Sequence, residues 1–365
     1  MKDFSIPLSY TPIPTGQLLS VLNSYSNRNH NELITDFENK ICQVTGAKYA
    51  VALNSGTAAI HLGLKALKVQ TDDIVLVSTF TYVASVNPIR YLGAIPFFID
   101  SCSDDWNMDP VLLEEAIEQC TRIGKKPKAI LVVHTYGMPA KMKEIKRIAD
   151  HHQIPVLEDA AEAIGSTYEG QSVGALTEIG IFSFNNNKIL TTYGGGVLVT
   201  DNQGIVEKVN LWAGQSRDNL PFYEHREIGF NYKMSPLNAA AGLAQFDLLP
   251  EKIAGRRKVF SHYSKYLSEK VGWQMEGPNR FSNRWITAIR FRDSSELARV
   301  QELLALKRIE TRPVWKPMHL QPVFSEFQSC VSGSSQELFE TGLCLPSGEY
   351  LSESQLNEIS AVISG

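Results

Sequence analysis

Phe182-Ser-Phe-Asn-Asn-Asn-Lys188-Ile-Leu-Thr-Thr-Tyr-Gly-Gly-Gly196 places a lysine between an apolar run of strand character and three consecutive glycines. A lysine leaving a strand end beside a tight turn is positioned for Schiff-base chemistry. Most strand-end lysines are solvated charges, so Lys188 takes its meaning from two segments upstream. Val156-Leu-Glu-Asp-Ala-Ala161 reads as a short buried strand delivering two carboxylates, and Asn54-Ser-Gly-Thr-Ala-Ala59 joins a strand to a helix of the kind that seats phosphate. A phosphate seat, a strand-end acid and a strand-end lysine are the three parts a pyridoxal phosphate site requires.

Outward from this run, apolar stretches of strand length alternate with helical patterns between about Tyr49 and Thr200. Strands are predicted at Tyr49 to Leu53, Ile74 to Val77, Ile95 to Ile99, Ala129 to Val133, Pro155 to Leu157, Ile179 to Phe184 and Gly196 to Thr200. Helices are predicted at Thr57 to Leu67, Pro110 to Cys120 and Lys141 to His151. The alternation predicts an α/β fold, a large domain whose mostly parallel mixed sheet lies between helices. After Ser235 the pattern changes to helices at Pro236 to Leu249 and Ile253 to Leu267, with Pro250 marking a break. A strand at Trp285 to Phe291 and helices at Ser295 to Leu306 and Ser352 to Ile363 follow, which suits a smaller C-terminal α+β domain. The expected division is 1–250, N-terminal segment included, and 251–365.

The 365 residues are 43% hydrophobic and 20% charged, the composition of an ordinary globular protein able to bury a sizeable core. No apolar run is long enough to span a bilayer. Pro7 and the polar residues before it interrupt where a signal peptide would need an unbroken apolar core, which argues for the cytoplasm. Five cysteines without a C-x-x-C pair indicate free thiols rather than a disulfide framework or zinc ribbon, and no metal site is expected. A net charge of −4 with dispersed basic residues gives nucleic acid no footprint.

The chemistry assigns roles residue by residue. Asn54-Ser55-Gly56-Thr57 offers free N–H groups at a helix start, where Gly56 allows close backbone approach and Thr57 adds a hydroxyl; a plain capped turn would look the same. Ser183 supplies another hydroxyl five residues before the lysine, or is simply a strand serine. Asp159 answers the cofactor's need for a protonated pyridine nitrogen, with helix capping at Ala160 as the alternative. Glu158, one residue earlier on the strand, points to the opposite face. Glu162 lies one helical turn beyond Asp159, within reach of the ring oxygen or the substrate, unless it is an exposed first-turn glutamate. Tyr82 could lay an aromatic face over the ring, although a buried core aromatic is the simpler reading. Lys188 would bond the cofactor and then shuttle a proton, which requires a lowered lysine pKa.

Together these segments resemble the DegT/DnrJ-type sugar aminotransferases, pyridoxal phosphate enzymes of fold type I, over nearly the whole chain. Asn54-Ser-Gly-Thr-Ala-Ala-Ile-His61, Glu158-Asp-Ala-Ala-Glu162, Ser183-Phe-Asn-Asn-Asn-Lys188 and Gly229-Phe-Asn-Tyr-Lys-Met-Ser235 match family motifs in order and at the usual separations. The resemblance implies pyridoxal 5'-phosphate as cofactor, Lys188 as its lysine, Asp159 as pyridine partner, Gly56, Thr57 and Ser183 as phosphate contacts, and Tyr82 stacked on the ring. It implies that Asn231 reaches the phosphate of a neighbouring subunit, hence a homodimer with shared active sites. Within the family, Phe184-Asn-Asn-Asn-Lys-Ile-Leu-Thr-Thr-Tyr-Gly-Gly-Gly196, Ser282-Asn-Arg-Trp285 and Arg312-Pro-Val-Trp-Lys-Pro-Met-His-Leu-Gln-Pro322 are most similar to enzymes that aminate C4 of UDP-linked 4-keto-6-deoxy-N-acetylhexosamines in bacillosamine and legionaminic acid type pathways. Arg312 and His319 become candidate sugar contacts. Asn186 departs from the glycine common in that branch, and Glu162 from the glutamine of much of the wider family.

The implied reaction draws an amino group from glutamate and delivers it to the nucleotide keto-sugar. Attack at C3, a dTDP-linked substrate, a lyase or dehydratase, and a non-enzymatic regulator of the same fold are the competing readings. The family's dehydratases replace the lysine with histidine, so Lys188 argues for transamination.

Overall fold

The computed structural model describes residues 4–26, 29 and 31–365. Among the described residues, nine strands lie in the first 200 positions: β1 (Tyr49–Leu53), β2 (Ile74–Ser78), β3 (Ile95–Ile99), β4 (Ala129–Val133), β5 (Val156–Asp159), β6 (Thr167–Tyr168), β7 (Gln171–Ser172), β8 (Ile179–Ser183) and β9 (Gly196–Thr200). Six more follow: β10 (Gly272–Trp273), β11 (Arg280–Phe281), β12 (Thr287–Arg290), β13 (Arg312–Pro313), β14 (Ser329–Cys330) and β15 (Gly342–Leu345). The main sheet runs β1-β9-β8-β5-β4-β2-β3-β14. From β8 to β14 neighbouring strands are parallel, and β9 is antiparallel to both β8 and β1.

The sequence shows why this sheet is covered on both faces. Alternate residues of one strand enter different cores: Val75, Val77, Leu131 and Val133 pack under the helix Gly56–Ala66, whereas Ile74, Leu76, Ile130 and Val132 pack under the helices Pro110–Arg122 and Met142–His152. A two-residue side-chain period with apolar residues at both phases leaves no face for water. Gly63 lets the first helix lie close, since a Cβ there would come within 2.7 Å of Leu157 Cδ1.

A second sheet, β10-β12-β15-β13, carries the helices Ser294–Leu306 and Glu353–Ser364. The N-terminal segment joins it: Ile6 bridges to Ile309 and packs in the same apolar cluster as Val300, Leu343 and Ile359. β14 returns to the edge of the main sheet beside β3.

Two sequence expectations are corrected here. Pro250 does not separate two helices; it sits in the first turn of the helix Leu249–Leu267, where its missing N–H costs nothing. The break falls earlier, because the helix from Pro236 ends at Leu243 and a 3-10 turn, Phe246–Leu248, intervenes. The helix Gln203–Ala213, absent from the sequence reading, follows β9 with Asn202 as its cap. All five cysteines are free, and no helix among the described residues is long and apolar enough to cross a membrane.

Candidate active site

The carboxyl ends of β2, β4, β5 and β8 open onto one cavity of about 490 Å³, the position that parallel α/β sheets reserve for ligands. Gly56, Thr57, Tyr82, Asp159, Glu162, Ser183 and Lys188 all line it. They come from four separate chain segments. Sheet register brings them together: Asp159 ends β5 opposite Val133 and Ile181, and Ser183 faces Gly196 across the β8-β9 pair.

The start of the helix Gly56–Ala66 has the chemistry to hold a phosphate. Ser55 caps that helix, its Oγ accepting the Ala58 N–H at 3.0 Å, so the remaining first-turn N–H groups face the cavity wall built by Ser55, Gly56 and Thr57. A Cβ on Gly56 would approach Ser183 Cβ to 3.1 Å, and one on Gly196 would press into the backbone of Ser55 and Gly56. The turn is therefore held against β8 and β9 without side-chain spacers. Asn54 braces it from behind, with its N–H donating to Tyr232 O at 2.8 Å and Nδ2 to Asn231 O at 3.1 Å.

Asp159 is buried, and no helix begins at Ala160 for it to cap. One carboxylate oxygen accepts the Ser85 hydroxyl at 2.6 Å and the other the Ala161 N–H at 3.1 Å. Burial raises its pKa, opposed by those two bonds and by the positive Lys188. A cationic ring nitrogen placed against it would reverse the dominant, desolvation effect. Glu158 does point to the other face, where it meets His134 Nε2 at 3.0 Å and the N–H groups of Gly174 and Leu176, both at 2.8 Å.

Lys188 lies in an irregular turn, its N–H donating to Asn185 O at 3.0 Å. Its Nζ donates to Glu162 Oε1 at 3.1 Å and sits 4.2 Å above the Trp285 ring. Glu162 is not an exposed helix residue: it is buried, and its other oxygen accepts the Tyr136 N–H at 2.9 Å. Burial pushes its carboxyl up to about 7 in spite of the lysine. Tyr136 holds that N–H in place from a left-handed backbone, φ 55°, a conformation non-glycine residues adopt at a cost. Tyr82 is 59% exposed at the cavity mouth, so the reading as a core aromatic is overturned.

Three residues singled out in the sequence lie outside this cavity. Asn231 is exposed, with its carbonyl held by Asn54. His319 is half-buried against the Thr79 hydroxyl at 2.7 Å, and Arg312 is exposed and paired with Glu310 at 2.7 Å. Sequence reasoning missed Ser85, Thr81, Asn187 and the indole walls Trp285 and Trp315 as lining residues. The two tryptophans stood inside quoted motifs, yet nothing in their spacing showed that they face the lysine.

The donor set fits pyridoxal phosphate: a glycine-lined helix start for a dianion, a buried carboxylate for a ring N–H, an exposed aromatic face, and a lysine reaching into the same cavity. The family model described as DegT/DnrJ/EryC1/StrS aminotransferase matches residues 15–364. The chain is 42% identical over 337 residues to EpsN of Bacillus subtilis (strain 168), named as a pyridoxal phosphate-dependent aminotransferase, covering 91% of this chain and 87% of that one. It is 38% identical over 324 residues to GDP-perosamine synthase of Escherichia coli O157:H7, covering 88% and 87%. Over 235 residues, 64% of this chain and 61% of the other, it is 35% identical to UDP-4-amino-4,6-dideoxy-N-acetyl-beta-L-altrosamine transaminase of Campylobacter jejuni. Among solved structures, a DegT DnrJ EryC1 StrS aminotransferase from Brucella abortus superposes with a TM-score of 0.89 at 25% identity, covering 96% of this chain and 95% of that one.

Proposed function

The chain belongs to the DegT/DnrJ/EryC1/StrS aminotransferase family, and from that premise we propose that it moves an amino group from glutamate to C4 of a UDP-linked 4-keto-6-deoxy-N-acetylhexosamine, in the cytoplasm, as a homodimer. It is a pyridoxal phosphate-dependent sugar aminotransferase of fold type I. The observation that carries the proposal is the convergence of Lys188, Asp159 and the Ser55-Gly56 helix start on one cavity.

Bound pyridoxal phosphate supplies the electron sink and the amino-group carrier. The chain's own residues do the rest. The first turn of the helix Gly56–Ala66, with Thr57 and Ser183, would hold the phosphate, and Asp159 would keep the ring nitrogen protonated. Tyr82, at the cavity mouth, would offer the ring an aromatic face. Lys188 takes a proton from the substrate carbon and returns one, with Glu162 within hydrogen-bond distance to hold or release the proton at Nζ. Trp285 and Trp315 wall the remaining space with apolar surface, which excludes water and suits a deoxygenated sugar.

Exposed Phe222, Tyr223 and Ile228, on the same stretch as Asn231, support a second subunit packed there with Asn231 directed at its phosphate. Arg312 and His319 are proposed as nucleotide-sugar contacts. A GDP-linked substrate is the second reading, favoured by the greater identity and coverage of the GDP-perosamine synthase match.

The test is an absorption spectrum of the reconstituted protein before and after L-glutamate, followed by UDP-, GDP- and dTDP-linked 4-keto-6-deoxy sugars. Loss of the visible band with glutamate and its recovery with a UDP-linked sugar, the new C–N bond at C4 by NMR, supports the first reading. Recovery with a GDP-linked sugar alone selects the second. A band that glutamate leaves unchanged points to another donor.

A further inference from the structure

Lys188 is carried by a stretch, 184–195, that has neither helix nor strand to hold its carbonyls. Buried carbonyls need partners, and two buried cations four residues apart on the helix Leu249–Leu267 serve this stretch, Lys252 directly and Arg256 through Trp285 and Ser9. Lys252 Nζ donates to Ile189 O at 3.4 Å and to Gln245 Oε1 at 2.9 Å, and Gln245 Nε2 donates to Thr191 O at 2.6 Å. Arg256 Nη1 donates to Trp285 O at 2.6 Å and to Ser9 Oγ at 3.2 Å. Trp285 Nε1 and Ser9 Oγ both donate to Asn187 O, at 2.8 and 3.3 Å. Glu349 offsets one of the two charges, 3.3 Å from Arg256 Nε.

The carbonyls of Asn187 and Ile189 flank Lys188, and each is reached by one arm of this network. Apolar packing would join helix and loop without the penalty of burying two cations, so their presence asks for a reason beyond adhesion. Burial also lowers the Lys252 pKa to about 8, the mark of a charge held where water does not reach.

We infer that Lys252, with Gln245, and Arg256, with Ser9 and Trp285, are positioning residues that clamp the backbone on either side of Lys188 and so aim its amine at the cofactor. The N-terminal segment thereby becomes part of the active-site support, because Ser9 links Arg256 to Asn187. A loop clamped at both flanking carbonyls presents the amine in one geometry, and misplacement by about 1 Å costs up to about a hundredfold in rate.

The experiment follows the condensation of the Lys188 amine with the aldehyde of added pyridoxal phosphate, which releases one water, in wild type, Lys252→Met, Gln245→Leu and Lys252→Arg. Stopped-flow growth of the visible band gives the rate, its circular dichroism reports how rigidly the linked cofactor is held, and the melting temperature of each apo-protein reports folding. The expected result is attachment slowed about tenfold, with weaker visible dichroism, in both Lys252→Met and Gln245→Leu, and partial recovery in Lys252→Arg. Wild-type attachment rate and dichroism in folded Lys252→Met, whatever its melting temperature, would reduce the pair to an anchor between domains and overturn the inference. Should Lys252→Met not fold, Gln245→Leu decides by the same two readouts. None of these measurements uses a sugar substrate, so they stand whichever nucleotide sugar the enzyme takes.

Discussion

Lys188 Nζ and Glu162 Oε1 stand 3.1 Å apart, the glutamate buried and the lysine half-buried, with the Trp285 ring under the ammonium and the Tyr136 N–H on the far carboxylate oxygen. The pair places a proton acceptor beside the amine that must gain and lose protons during transfer. Glu162 titrates near neutrality because burial disfavours its charge more than Lys188 restores it.

Lys188→Ala removes the amine proposed to bond the cofactor and to move the proton. Turnover and the visible band are expected to disappear, while the apo-protein folds, because the core clusters on either face of the sheet are untouched. Absorption spectra and thermal melting check both halves. Turnover retained with an amino donor would sink the assignment.

The raised Glu162 carboxyl has a consequence for stability. Its ordinary value is 4.5 and its folded value about 7. Between these, the folded apo-protein keeps a proton that the unfolded chain has released, so this contribution is fully present below pH 4.5 and is lost as pH rises through 7. Glu162→Gln removes the titration while its amide oxygen keeps one of the two accepted hydrogen bonds. The stability of wild type relative to the variant should therefore fall between pH 4.5 and 8, by on the order of 1–3 kcal/mol. Urea denaturation of both proteins across that range measures it; a constant difference would mean that the carboxylate stays ionised throughout.

Ser85→Ala takes from Asp159 its 2.6 Å hydroxyl donor, 74 residues away in sequence. Asp159 then ionises less readily and holds a protonated ring nitrogen less well. A hydrogen bond to a charged group contributes about 1.5–3 kcal/mol, so the glutamate half-reaction should slow by about one to two orders of magnitude in single-turnover kinetics. An unchanged rate would leave Ser85 a purely structural residue.

These two contacts also mark how far the sequence could be read. Strand positions were legible because the sheet is buried on both faces, and continuous apolar runs such as Ile74 to Val77 admit few other readings. Lys188, Asp159 and the Asn54–Thr57 turn were legible because each closes or follows a strand. The partners of these groups were not. Ser85 reaches Asp159, and Trp285 reaches Lys188, across loops whose course only the packed structure defines. The same limit hid Pro250, whose local meaning, helix start or helix break, depends on where the preceding helix ends. Asn231 was identified by family resemblance alone, and its position on an exposed stretch shows why no periodicity could have found it.

Gly196 tests whether the phosphate seat depends on close approach of backbone to backbone. A Cβ there would run into the Ser55 carbonyl carbon and the Gly56 nitrogen, neither of which can move without shifting the first turn of the helix Gly56–Ala66. Gly196→Ala should therefore cost about 1–3 kcal/mol of stability and weaken pyridoxal phosphate binding together with it, the affinity read by spectral titration of the apo-protein. Gly16 supplies the comparison, because a Cβ there meets nothing within 4 Å and lies in the helix Thr15–Ser24. Gly16→Ala should gain up to about 1 kcal/mol from helix propensity and leave cofactor affinity alone. If Gly196→Ala lowers stability without altering affinity, β9 braces the fold but not the phosphate, and the seat must be held by Asn54 and the segment behind it.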